Sequence, residues 1–135
     1  VVTNNYLNSD TSLNIDKRLG LKEMVVGLEN GGQYKAYVLH QIETNKVIED
    51  KVDNKPIVLF SLYPRMVRLY SPEISGHILD HNSTNKIIDK QTGSEWNFGG
   101  IGVNGPMKGE SLTRLSFDEG FWFEWFHPRT LTYAG

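Results

Sequence analysis

The sequence contains no cysteine. That excludes disulfides, thiolate zinc sites, iron–sulfur clusters, c-type haem attachment and a cysteine nucleophile together. It leaves the compartment open, because an exported domain with an adequate core folds without disulfides. An excess of positive charge is also missing: 14 Lys and Arg stand against 16 Asp and Glu, a net charge of −2, with the signs interspersed. Binding through nucleic-acid phosphates needs a basic excess or a basic stripe, so that class is set aside. No stretch reaches the ~20 consecutive apolar residues of a membrane-spanning helix. Internal repeats and low-complexity runs are absent. The chain starts at Val1 with no charged-then-apolar leader, which fits a processed protein or a piece of a longer one.

What is present is enough apolar material for one core: 135 residues, 39% of them hydrophobic. A second core would leave each half too small to bury sufficient surface. Residues 1–20 are rich in Asn, Ser, Thr and Asp without periodicity and are expected to form an irregular arm, with 21–135 a single β-rich domain. Met24–Glu29 and Gln33–Val38 flank Asn30-Gly31-Gly32, and Lys46–Asp50 and Pro56–Phe60 bracket Val52–Lys55, two hairpin signals. Leu39–Asn45 suits a short helical turn and Met66–Tyr70 a half-buried strand. Lys86–Lys90 and Ser94–Phe98 form a third hairpin through Gln91-Thr92-Gly93, and the five glycines of Gly99–Gly109 mark a turn-rich loop. Asp118 is placed to cap a helix over Glu119–Phe126, which Pro128 stops. The expected class is mainly β, a β-rich α+β domain: a compact antiparallel sheet or barrel-like body with a short C-terminal helix packed on it.

The order of several motifs resembles a known family. The pieces are Val26-Gly27 with Gly31–Tyr37, then Asp53–Val58, Asp89-Lys90-Gln91-Thr92-Gly93-Ser94-Glu95-Trp96, Gly105-Pro106-Met107-Lys108-Gly109, and Trp125–Leu131. Together they resemble the domain-of-unknown-function family 3179 of bacteria and archaea over about Met24 to Tyr133. The Asp-x-x-Thr-Gly-Ser-x-Trp segment and the late His-Pro-x-Thr are the most specific parts. The resemblance implies a location outside the cytoplasm, a periplasmic-type space or the cell surface, and no established activity. Family members usually carry Cys-Pro-x-Cys-Gly after the strand that here is Ile57–Phe60. This chain reads Phe60-Ser61-Leu62-Tyr63-Pro64-Arg65-Met66. In one register Ser61 and Pro64 take the cysteine places; in a register slipped by one, Leu62 and Arg65 do. The family's His-Glu-Ile-Val-Asn-Asp appears as Asn45–Asp50, and Ser71–Lys86 is shorter than its counterpart. Metal or redox chemistry through those Cys and His positions lacks its ligands here.

Chemistry-bearing residues are few. His77-Ile78-Leu79-Asp80-His81 holds two imidazoles four apart. On a helix they share a face and, with Asp80 or a distant His40 or His127, would chelate copper or zinc. On a strand they stand roughly 13 Å apart and read as two exposed loop histidines. His127, before Pro128, suits either a general base with Glu119 or Glu124, as in a hydrolase, or a cap on the helix carbonyls. Ser61, Ser94 and Ser116 lie in neither Gly-x-Ser-x-Gly nor Ser-x-x-Lys, and Gly99-Gly100-Ile101-Gly102 lacks the rest of a phosphate loop. Asn82-Ser83-Thr84 matches the glycosylation acceptor pattern.

Aromatic side chains are in surplus. Trp96, Phe98, Phe121, Trp122, Phe123, Trp125 and Phe126 exceed what one short helix hides on one face. Most belong to a core, and Trp122, Phe123 and Trp96 are the ones expected to anchor a protein partner, with a carbohydrate platform as the alternative. The expected function is a non-catalytic extracytoplasmic structural or protein-interaction domain, an accessory subunit of a membrane-associated complex, with no cofactor. A copper- or zinc-binding accessory protein using His77 and His81, and a hydrolase centred on His127, are the alternatives.

Overall fold

The computed structural model describes residues 23–61, 66–83, 85–121 and 130–133. The expected arm over residues 1–20 lies outside them. The chain opens with β1 (Met24–Asn30) and β2 (Gln33–Val38), joined by a two-residue turn with Asn30 opposite Gln33. Gly31 and Gly32 both have positive φ, as the tight turn that matches strand twist requires. A second two-residue hairpin joins β3 (Val47–Val52) to β4 (Lys55–Ser61), here with Asp53 and Asn54 in the left-handed region. The tips of the two hairpins touch. The Asp53 backbone N–H donates to Gln33 Oε1 at 2.8 Å and Asn30 Nδ2 donates to the Val52 carbonyl at 3.0 Å. The Asp53 carboxylate occupies the space a Cβ at residue 31 would need.

Between the hairpins runs α1 (Leu39–Asn45), the helical turn expected there. Leu39 and Ile42, three apart, bury one face of it, and Lys46 at φ 67 ends it by donating its N–H to the Ile42 carbonyl. After β5 (Val67–Ser71) come a small hairpin, β6 (Glu73–Ile74) and β7 (His77–Ile78), then a meander: β8 (His81–Ser83), β9 (Ile87–Asp89), β10 (Glu95–Trp96) and β11 (Gly102–Asn104). The described chain closes with β12 (Thr113–Leu115), β13 (Asp118–Phe121) and β14 (Leu131–Thr132).

Twelve of these strands make three four-stranded sheets, and β6 and β7 pair with each other. The first has the order β13-β1-β2-β14, the central one β12-β5-β4-β3 and the outer one β11-β10-β9-β8. All pairings are antiparallel except β14 with β2. The sheets are open and layered, so the β-rich expectation holds in the form of stacked sheets.

Strand β4 shows why they stack. Alternate side chains of a strand face opposite sides. Ile57 and Leu59 enter a core with Val26, Leu28, Tyr37, Ile42, Ile48 and Leu69. Val58 and Phe60 enter a second core with Tyr70, Leu79, Trp96 and Leu112. A strand covered on both faces reads as the uninterrupted apolar run Ile57–Phe60.

The expected C-terminal helix is corrected. Asp118–Phe121 is a strand in register with Met24–Gly27, and the only helix among the described residues lies in the first half of the chain. The aromatic spacing suggested a helix, but Gly120 weakens one by about 1 kcal/mol relative to Ala. The free edge of β1 supplies a ladder for the same backbone groups. The remainder of the expected helix, 122–126, lies outside the described residues. Among those described, no helix is long and apolar enough to cross a membrane.

Candidate functional site

The densest polar cluster in the described structure is interior, and it is built by the β9–β10 hairpin. Asp89 ends β9 and is fully buried. Its carboxylate accepts the Thr92 backbone N–H at 2.6 Å, the Thr92 hydroxyl at 2.8 Å and the Trp96 indole N–H at 2.8 Å. The single proton of Thr92 Oγ1 is committed to Asp89. In the 2.6 Å contact between the Thr92 and Ser94 hydroxyls, therefore, Ser94 is the donor. Ser94 Oγ in turn accepts the Met107 N–H at 2.8 Å. The result is a directed chain: Met107 N–H to Ser94, Ser94 to Thr92, Thr92 to Asp89. Gly105, at φ +92, lets the following loop press onto Ser94, where a Cβ would stand 2.8 Å from the Ser94 Cα.

Burial by itself would raise the Asp89 carboxyl. The Trp96 indole, the Thr92 N–H and hydroxyl, and the nearby His81 outweigh it and hold the group below the usual carboxylate range. A carboxylate that spends its acceptor capacity on fixed interior donors has little left for a ligand.

Opposite Asp89 in the β8–β9 ladder stands His81. It is 2% exposed and lies edge-on to the Phe60 and Trp96 rings, each with centroid 5.6 Å away. Neither Nδ1 nor Nε2 has a hydrogen-bond partner among the described residues. Desolvation lowers its pKa. Asp89, the Leu79 backbone and Asp80 pull the other way without reversing the shift, and the Leu79 carbonyl does so without meeting hydrogen-bond geometry. The His81 backbone N–H donates to Glu49 Oε2 at 2.9 Å, tying the outer sheet to the central one. Burial raises the Glu49 carboxyl and Asp80 adds to the shift, against the His81 N–H and Lys90.

A second polar cluster joins the first sheet to the central one. The Tyr37 hydroxyl donates to Asp50 Oδ2 at 2.8 Å, and Lys35 Nζ pairs with the same oxygen at 2.6 Å. The Lys35 ammonium also sits 5.9 Å from the Tyr37 and Tyr133 ring centroids. Burial, and then the Asp50 hydrogen bond, raise the Tyr37 phenol far above its ordinary value. A cleft of about 600 Å³ opens near the hairpin tips. Its apolar floor, Leu28, Val52, Ile57 and Leu69, is 1–6% exposed and offers a ligand little surface.

The residues singled out in the sequence are dispersed. His77 is exposed on β7, whereas His81 points into the interior. The Asp80 carboxylate is engaged by Gln91 Nε2 at 3.0 Å. Among the described residues no three His, Cys, Asp or Glu side chains converge as a metal-holding group. His40 is exposed on α1, and Glu119 on β13. His127 and Glu124 lie outside the described residues, as do Trp122 and Phe123. Trp96 is 2% exposed and acts as a core donor to Asp89, so it cannot anchor a partner at the surface. Ser94 is buried in the hydrogen-bond chain, Ser61 is buried at the end of β4, and Ser116 is exposed. Asn82 is exposed on β8.

The union of His81 with Asp89 and Trp96 was not read from the sequence. Two signals for it were present. Asp followed by Thr three residues on is the spacing of a side-chain-capped turn. His81 also shares parity with the apolar Leu79.

No curated protein and no solved structure matches the chain. One family model does, over residues 3–130, a span that includes the hairpin carrying the Asp89 hub. The chain belongs to the family described as a protein of unknown function, DUF3179.

Proposed function

We propose that this chain is a non-catalytic extracytoplasmic domain that serves as a structural or protein-interaction subunit of a membrane-associated assembly. The observation that carries the reading is the closure of the Asp89 hub. The segment on which the resemblance to the family rests most specifically is spent on hydrogen bonds between Asp89, Thr92, Ser94, Trp96 and Met107. Residues used in this way fix a shape, and the lack of a metal-holding group among the described residues suits a scaffold. The replaced Cys and His positions of the family point the same way.

A mild-detergent pull-down from source-cell membranes, with cross-linking and mass spectrometry, tests the reading. A fixed-ratio set of membrane subunits is the expected result. Aspartate substitutions at Ile78 and Val103, which are 49% and 39% exposed, locate the contacting face without touching either core. Recovery of the domain alone under conditions that keep membrane complexes intact overturns the proposal.

A further inference from the structure

His81 occupies the seam between the central and outer sheets. β4 offers it Phe60 and β10 offers it Trp96, while its own backbone N–H is held by Glu49 of β3. The titratable groups facing it are Asp89 across the ladder on β9, Glu49 on β3 and Asp80 just before its own strand, with Lys90 beyond Glu49. A ring in this position is comfortable only while neutral. Protonation creates an imidazolium with two N–H donors and, among the described residues, no acceptor in bonding geometry. Asp89 is the obvious counter-ion, yet its oxygens are already taken by Thr92 and Trp96. Turning one of them to His81 would break a bond that holds the β9–β10 hairpin.

We propose that His81 makes the seam between the central and outer sheets acid-labile: proton uptake by its ring releases the outer sheet while the core between the first and central sheets stays closed. Two features of the fold make such a partial release possible. The two cores share strands β3 to β5 but not side chains, since successive residues of β4 face opposite ways. The outer sheet itself is made of strands two to three residues long, held by few ladder bonds each.

The direction and window follow from linkage. The folded ring has a lowered pKa, so the released state binds the proton more readily, and stability falls with pH below the ordinary value near 6.5. Were the closed form to stay neutral throughout, the released fraction at pH 5 would rise by up to about 30-fold over that at pH 7.5. Asp89, held low, stays ionised in that window. Glu49, held high, acts oppositely, because its protonation favours the closed form.

The test is carried out on the whole chain in chelator-treated buffer by NMR. The His81 ring is titrated directly, and hydrogen exchange is followed at the Trp96 indole and at the backbone amides of Val26 and Tyr37, each corrected for its intrinsic chemical rate. The expected result is a His81 midpoint below 6.5. Corrected exchange at Trp96 should quicken between threefold and 30-fold from pH 7.5 to 5, while Val26 and Tyr37 change by less than twofold. The acceleration should vanish in His81→Leu and persist in His77→Gln. A ring that titrates at its ordinary value, equal acceleration at all three positions, or undiminished acceleration in His81→Leu overturns the proposal. If His81→Leu does not fold, the titration and exchange of the unaltered chain decide alone.

Discussion

At the level of single residues, a carboxylate in this protein does structural work that aliphatic packing cannot. Asp89 gathers three donors, two from the half-buried Thr92 of a turn and one from the buried Trp96 indole. Replacing it with Asn keeps the volume but substitutes an NH2 group for one acceptor oxygen, so a donor then faces the indole N–H or the Thr92 pair. Asp89→Asn is expected to cost about 2–4 kcal/mol, as hydrogen bonds to a charged group are lost and a buried donor is left unsatisfied. Urea unfolding at pH 7 measures it, and a loss under 0.5 kcal/mol would mean the hub is dispensable.

The pH dependence supplies an independent check on the same residue. A depressed folded pKa contributes stability that is present above the unfolded value, near 3.8, and lost as pH falls through the folded one. Asp89→Asn should therefore flatten the part of the acid-unfolding curve below about pH 4. The limb below 6.5 assigned to His81 should persist and deepen, because the Asp89 charge that favours the imidazolium is gone.

Among the elements, the two tight hairpins explain much of the geometry, and their contact is a separate source of order. Gly31 has φ +59 and the Asp53 carboxylate occupying its missing Cβ, whereas Gly32 has φ +83 and open space around it. Both Gly31→Ala and Gly32→Ala incur a left-handed backbone penalty of about 1–2 kcal/mol. Only Gly31→Ala also collides with the exposed Asp53 carboxylate, which must swing aside from the other tip. It should cost about 0.5 kcal/mol more than Gly32→Ala. Asp53→Gly, which suits the φ of 53 at that position and removes the carboxylate, should recover that difference in a double-mutant cycle. Equal costs for the two alanine variants would show that the tips do not bear on each other.

These hairpins were legible because their signals are local: glycines or Asp-Asn between β-favouring runs, with register fixed by a two-residue loop. The α1 turn was legible for the same reason. Strand β13 was not, because the choice between helix and strand at Asp118–Phe121 is made by β1, almost a hundred residues away in sequence. The interior hub was half legible. Its residues stood out as a motif, but that Trp96 turns inward to Asp89 and beside His81 depends on a β8–β9–β10 register that residue types alone do not encode.

For the whole molecule, the governing fact is that one sheet serves two cores. Leu59 and Phe60 are adjacent and both fully buried, yet they support different halves of the fold. Leu59→Ala opens a cavity between the first and central sheets, where Val26, Tyr37, Ile42 and Leu69 belong to the same core. Phe60→Ala removes a ring that touches Tyr70 and His81 on the other side. Each is expected to cost about 3–5 kcal/mol by lost transfer energy and residual cavity. They should differ in what they loosen. Leu59→Ala should raise amide exchange throughout, because no sheet outlasts the loss of the larger core. Phe60→Ala should raise it first in Ile87–Asp89 and Gly102–Asn104, leaving Val25–Leu28 protected to near the global limit. Native-state hydrogen exchange at low urea distinguishes these patterns. Identical patterns for the two variants would mean that the three layers unfold as one unit, and the outer sheet could not then be released separately.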